Sequence, residues 1–260
     1  MDDGVKKIKD FWEGKAREYG ISHESSWGDH YCMQLEVNTL DTLLSEDDRI
    51  LDIGCGNGLG TLELASRKRI VIKGIDYSAE MVRSAHALLS ERNTILKGDV
   101  SFDVGDVLQL AERENSFTKA ITRRVIINLG TLDSQIKALR EVHKVLVPSG
   151  VFLMSEATVD GLRRINALRR ECGLEELQQP WHNLYIEKDV FIDAVSDFFE
   201  IVDVMDFSST YYVGTRVVQA LVKKMMNQSP DYRSEINRFF MQLPPYGDYG
   251  IQKLFIFRKK

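Results

Sequence analysis

Apolar and polar positions along this chain switch repeatedly between a helical and a strand period. Residues 5 to 19 place Val5, Ile8, Trp12, Ala16 and Tyr19 at helical spacing among Lys and Glu, which predicts an amphipathic helix. Asp29 stands where a cap would open a second helix, whose stripe is Met33, Val37, Leu40 and Leu44. Short apolar runs then predict buried strands ending near Ile53, over 70–76, 101–107, within 117–129, over 151–156, 199–207 and 251–258. Helical patterns over 59–66, 79–92 and 131–147 separate the first five. That alternation predicts an α/β fold with a parallel, doubly wound sheet. Between strands six and seven, helices from Ser208 and over 231–241 exceed a hairpin and read as an insertion or part of a cap.

The run Arg49-Ile50-Leu51-Asp52-Ile53-Gly54-Cys55-Gly56-Asn57-Gly58-Leu59-Gly60 is a strand ending in a glycine turn that feeds a helix. A dinucleotide-binding turn needs its third glycine at 59, and Leu59 occupies that place. No Gly-Lys-Ser/Thr follows, which excludes a phosphate-cradling loop. Asp76 ends the next strand some twenty residues on, where α/β nucleotide folds hydrogen-bond a ribose diol. A carboxylate suits that task because it accepts from two hydroxyls at once.

The turn Asp52-x-Gly54-x-Gly56-x-Gly58 resembles motif I of the class I S-adenosylmethionine-dependent methyltransferases. Asp76-Tyr77-Ser78-Ala79-Glu80-Met81 resembles that family's next motif, and the passage from Leu139 to Glu156 its helix, Leu-x-Pro-Gly-Gly and strand, with Ser149 for the first glycine. The resemblance is close over 49–157 and topological elsewhere. It implies a mostly parallel seven-stranded Rossmann-like fold, with S-adenosyl-L-methionine as cofactor and S-adenosyl-L-homocysteine as product. It implies cofactor contacts from Asp52, Gly54, Cys55, Gly56, Asp76, Tyr77 and Val107. Asp106 falls at the adenine position, with Asp103 as the competing choice. Arg123 either meets the methionine carboxylate or forms a solvated pair with Arg124. Residues 1–46 would be an N-terminal helical lid bringing Tyr19 and Trp27 to the cofactor; the competing reading is a plain cap with a buried Trp. Residues 47–260 would be the methyltransferase domain, with helical substrate-side elements at about 158–198 and 209–247.

Composition narrows the partners. A net charge of −5 weighs against a nucleic-acid substrate, which would favour a basic face, without excluding one, and no apolar run is long enough to span a bilayer. Cys32, Cys55 and Cys172 form no metal-type pair, so no metal is expected, and sparse free thiols fit a reducing cytoplasm. The start Met1-Asp2-Asp3-Gly4 is acidic, unlike a signal peptide. Arg163, Arg164, Arg169 and Arg170 read as a solvated face or as an anion patch.

A small-molecule methyl acceptor is the favoured partner, most simply a hydroxyl on a polar metabolite such as a sugar. RNA or protein methylation and non-catalytic cofactor binding are the alternatives. A hydroxyl acceptor needs a base, and histidine suits neutral pH. His182 lies in the loop Gln179-Pro180-Trp181-His182-Asn183-Leu184-Tyr185 after strand five, on the edge where such sheets meet ligands. It is the first candidate, followed by Tyr211 and His30. The sequence leaves the oligomeric state open.

Overall fold

Ile50 faces one apolar cluster and Leu51 and Ile53 another, and all three are buried. A strand buried on both faces belongs at the centre of a parallel sheet. This strand is β1 (Arg49–Ile53) of a computed structural model that describes residues 3–25, 27–92, 96–231 and 233–260. Met1 and Asp2 of the acidic start and the side chains of Asp3 and Val5 lie outside the described residues.

The other strands are β2 (Val71–Asp76), β3 (Asp99–Val104), β4 (Phe117–Arg123), β5 (Leu146–Ala157), β6 (Phe199–Met205) and β7 (Gln252–Lys259). Their order is β3-β2-β1-β4-β5-β7-β6 in one seven-stranded sheet. The first five run parallel, and β7 lies antiparallel between β5 and β6. The expected mostly parallel, doubly wound α/β architecture is the one observed.

Helices α1 (Asp3–Tyr19) and α2 (His30–Thr42) precede the sheet, and Asp29 caps α2 by accepting from the Cys32 N–H at 3.1 Å. Helices α3 (Leu59–Arg67), α4 (Ala79–Arg92) and α5 (Leu132–Val145) make the parallel crossovers. Then come α6 (Val159–Glu171) and α7 (Lys188–Val195). Between β6 and β7 the chain forms α8 (Ser209–Tyr212), a π-helical turn (Val213–Val218), α9 (Gln219–Met225) and α10 (Glu235–Gln242).

Two local departures from the sequence reading matter for the site. The apolar run 117–129 does not stay extended: β4 ends at Arg123, Arg124 takes a left-handed φ of 58°, and Ile126–Asn128 form a 3-10 turn. The cause is Glu156, buried on β5. Its carboxylate accepts the N–H groups of Val125 and Ile126 at 2.9 Å and of Ile127 at 3.3 Å, three donors that β pairing would have used. The third strand stops at Val104, three residues early, because Gly105 and Asp106 enter a turn. Ser149, in the place of a glycine, adopts φ 61° where the β4–β5 register shifts.

The arginine-rich helix α6 forms ion pairs at its surface: Arg163 with Asp160 and Glu187, Arg164 with Asp248, and Arg170 with Glu176. Arg169 turns inward to the carbonyls of Glu175 and Arg216. This is a paired solvated face rather than an open anion patch.

Candidate active site

The ends of β1, β2, β4 and β5 and the start of β7 meet at one edge of the sheet, and two adjoining cavities open there. The first, about 160 Å³, is lined by the turn Gly54-Cys55-Gly56-Asn57, by Asp76 and Tyr77, by Gly105 to Leu108, by Arg123 to Val125, and by α1 through Ile8, Lys9 and Trp12. The second, about 370 Å³, is lined by Phe11, Trp12, Lys15 and Tyr19 of α1, by Glu24, Trp27 and Gly28, by the loop residues Pro180, His182, Asn183 and Tyr185, and by Tyr212, Arg233 and Gln252. Trp12, Arg124 and Asn128 border both.

Asp76 is buried, and each of its oxygens accepts one backbone N–H at 2.9 Å, from Gly56 and from Ser78. A carboxylate retains further lone pairs after two such bonds, so it can still accept from a diol. Burial pushes its pKa up to about 6, against the pull of those two N–H groups. Gly56 has φ 56°, and a Cβ there would meet no atom within 4 Å, so its backbone stands bare at the cavity wall.

Asp106 lines the first cavity. One of its oxygens accepts the Leu108 N–H at 2.9 Å and the other the Lys9 ammonium at 3.2 Å. Asp103 instead points along the exposed sheet edge and pairs with Lys73 at 2.8 Å. Cys55, Tyr77 and Val107 all border the cavity. Tyr77 donates to the Lys9 carbonyl at 3.4 Å, fastening α1 across the opening.

Arg123 and Arg124 do not form a solvated pair. Arg123 bonds the fully buried Asp52 at 2.6 Å, while Thr61 donates to the same oxygen at 2.5 Å. Burial raises the Asp52 pKa against both partners. The guanidinium lies over Gly60, where a Cβ would overlap it. Asp52 itself is absent from the cavity lining; it anchors Arg123, which does line it. Arg124 bonds Glu36 and stacks over the Trp27 ring at 4.7 Å.

Tyr19 and Trp27 therefore stand at the second cavity, not the first. The residue of α1 that reaches both is Trp12, whose indole N–H donates to Asn128 Oδ1 at 3.1 Å. Asn128 in turn donates to the Arg124 carbonyl at 2.6 Å. The loop between α1 and α2 is fastened from the glycine turn: Asn57 Nδ2 donates to the carbonyls of Gly20 at 3.1 Å and Ser22 at 2.9 Å.

His182 lies in the second cavity. Its ring stacks on Phe11 at 4.7 Å and meets Trp12 and Trp181 edge-on at 5.6 and 5.4 Å. Nδ1 is buried with no hydrogen-bond partner among the described residues, and burial pushes the imidazole pKa down. The ring is therefore neutral at pH 7 and able to accept a proton. Tyr211 and His30 are not brought to either cavity. The Tyr211 hydroxyl is buried and donates to Asp29 at 2.5 Å, beside the Arg216–Asp29 ion pair. His30 is exposed at the start of α2, with its ring 4.9 Å from that of His23.

Lys9, Phe11, Trp12, Asn57, Arg124, Asn128 and Glu156 escaped the sequence reading as site residues. A signal existed for α1, whose aromatic and basic residues Phe11, Trp12, Lys15 and Tyr19 share one helical side. Nothing in the sequence tied Glu156 to the turn thirty residues before it.

Residues 44–190, more than half of the chain, match the model of a methyltransferase-domain family. Among curated proteins, the chain is 29% identical over 116 residues to phosphoethanolamine N-methyltransferase of Plasmodium falciparum, covering 45% of this chain and 41% of that protein. It is 32% identical over 112 residues to norajmaline N-methyltransferase of Rauvolfia serpentina, covering 43% and 37%. The matched segments thus span about two fifths of these relatives. Among solved structures, magnesium protoporphyrin IX methyltransferase of Synechocystis PCC 6803 with bound SAH superposes with a TM-score of 0.57 at 14% identity, covering 88% of this chain and 84% of that one. That likeness is one of fold.

Proposed function

The chain belongs to the methyltransferase-domain family, and from that premise we propose that it transfers a methyl group from S-adenosylmethionine to a hydroxyl of a small polar molecule. The observation that carries this reading is the pair of adjoining cavities with Trp12, Arg124 and Asn128 as common walls. A group-transfer enzyme needs donor and acceptor held side by side in fixed orientation. A sugar or sugar-derived acceptor is the narrower form of the proposal. Its support is the mixture of ring faces with Asn183, Gln252 and Glu24 in the second cavity.

The residues of the first cavity fit the cofactor. Asp76 would offer lone pairs to a ribose diol, the bare Gly56 backbone permits close approach, and Asp106 on the same wall would accept from the adenine amino group with a lone pair left after its bonds to Leu108 and Lys9. Arg123 spends Nη2 on the Asp52 that anchors it, and its remaining guanidinium N–H groups would hydrogen-bond a carboxylate rather than supply an unpaired charge. When bound, S-adenosylmethionine supplies an activated methyl group. The chain's own tasks are then to align the acceptor, exclude water and take up a proton. Phe11, Trp12 and Trp27 provide apolar walls, and the neutral His182 ring accepts the hydroxyl proton. Two of the relatives are N-methyltransferases by name, and an amine acceptor would need no such base.

Free Cys32, Cys55 and Cys172 support a reducing, cytoplasmic setting. Among the described residues, no helix is long and apolar enough to cross a membrane.

The test is incubation of the pure protein with methyl-labelled S-adenosylmethionine and cell extract separated into small-metabolite, RNA and protein fractions. Label is expected in the small-metabolite fraction. Label confined to RNA or protein would overturn the acceptor class, and cofactor binding without label would favour a non-catalytic protein.

A further inference from the structure

Three cations line the second cavity, and two of them already have a carboxylate. Arg124 is paired with Glu36, and Arg233 with Glu24. Lys15 has no ion-pair partner among the described residues. Its ammonium lies 4.6 Å from the centroid of the Tyr19 ring, on a partly buried side chain at the cavity wall. An ammonium drawn away from water toward aromatic surface loses hydration, and an opposite charge on a ligand restores what is lost. Within the lining Glu24 is the one carboxylate, and Arg233 pairs with it, while Glu18 bonds the Tyr19 hydroxyl from outside the lining. The ring of His182 is neutral at pH 7.

From this uncompensated charge we propose that the methyl acceptor is an anion, and that Lys15 binds its carboxylate or phosphate. The inference rests on the methyltransferase reading above and specifies its substrate class. Phe11, which stacks on His182, and Lys15 are one helical turn apart on α1, about 6 Å along the axis at 1.5 Å per residue. The anionic group therefore sits about one sugar ring away from the hydroxyl that His182 serves. A compact hydroxylated molecule with an acidic group at its far end, such as a sugar acid or a sugar phosphate, matches both ends of the cavity.

The experiment uses the full chain. Metabolites labelled by the pure protein with methyl-labelled S-adenosylmethionine are passed at pH 8 over an anion-exchange column, with and without prior treatment by alkaline phosphatase. Retention of the label supports the proposal; retention abolished by phosphatase assigns a phosphate monoester, and retention that survives both phosphatase and a phosphodiesterase followed by phosphatase assigns a carboxylate. Label in the flow-through of the untreated sample overturns the anionic acceptor while leaving the methyltransferase standing. Absence of label from small metabolites overturns the underlying functional reading instead. With the retained compound as substrate, Lys15→Ala is expected to raise KM tenfold or more with kcat within twofold and cofactor affinity unchanged. Lys15→Arg is expected to recover most of that loss. An unchanged KM in Lys15→Ala would also overturn the assignment.

Discussion

The two cavities meet at one wall but are built in different ways. The first is made largely by consecutive residues at strand ends: Gly54 to Asn57 after β1, Asp76 and Tyr77 after β2, Gly105 to Leu108 after β3. Asp76 and one oxygen of Asp106 are held there by main-chain N–H donors two residues away or on the adjacent turn. The second cavity gathers side chains from α1, the loop before α2, the loop before α7, α8, the segment before α10 and β7. Its members are held by bonds between distant segments, such as Trp12 to Asn128 and Arg233 to Glu24. A site built on local chain geometry shows as a motif, whereas one assembled from distant segments is set by the fold.

The largest expected effect tests how firmly the first cavity is anchored. Arg123→Met should remove about 3–5 kcal/mol of stability by urea denaturation, because it leaves the buried Asp52 carboxylate without its guanidinium. A loss below 1 kcal/mol would mean that the pair is dispensable and that local geometry alone holds the cavity.

On the acceptor side, His182→Ala should lower turnover about a hundredfold, equivalent to about 2.7 kcal/mol of barrier. Cofactor affinity measured by calorimetry should stay put. A near-normal rate would indicate an acceptor that needs no base, and the distinction between the cavities would become one of binding only.

Tyr211→Phe separates support from chemistry. Removing a hydroxyl bonded to a buried carboxylate should cost about 1.5–3 kcal/mol of stability, with kcat near normal in the fraction that remains folded. A selective fall in kcat would put Tyr211 in the chemical step after all.

The smallest effect concerns Asp76. Asp76→Ala should weaken binding of S-adenosylhomocysteine about tenfold, about 1.4 kcal/mol. In the unsubstituted chain the carboxyl pKa stands at about 6, above its ordinary 3.8, through burial. Folding thus favours the protonated form: this group's contribution to apoprotein stability is fully present below about pH 4 and is lost as pH rises through about 6. Accepting from a diol favours the ionised form, so cofactor affinity should run the opposite way and weaken about tenfold from pH 7 to pH 5. A flat affinity over that range would remove Asp76 from the ribose contact.

The same contrast accounts for what the sequence made legible. The parallel, doubly wound arrangement of the first five strands follows from alternating periods, Gly56 and Asp76 from the glycine turn and the spacing to it, and Asp106 from the family resemblance. Phe117 to Leu129 misled as a single apolar run, because the acceptor of its last N–H groups, Glu156, belongs to another strand. Arg123 was singled out by position, yet its partner Asp52 was taken for a ligand contact; only burial shows that the carboxylate serves the arginine. His182 could be proposed from loop chemistry, while its stack on Phe11 required the packing of α1.

The antiparallel setting of β7 has a topological effect on how the molecule could be altered. β6 leaves the sheet at the same edge where β7 enters it, so everything between Met205 and Gln252 must lie on the side of the cavities. Tyr212 and Arg233 come from that segment. Its length and sequence can change without moving a register within the five parallel strands, so long as Tyr211 and Arg216 are kept against the buried Asp29. For protein engineering this makes 206–251 a cassette: exchanging it would recut the acceptor's enclosure while the glycine turn and its carboxylates stay in place.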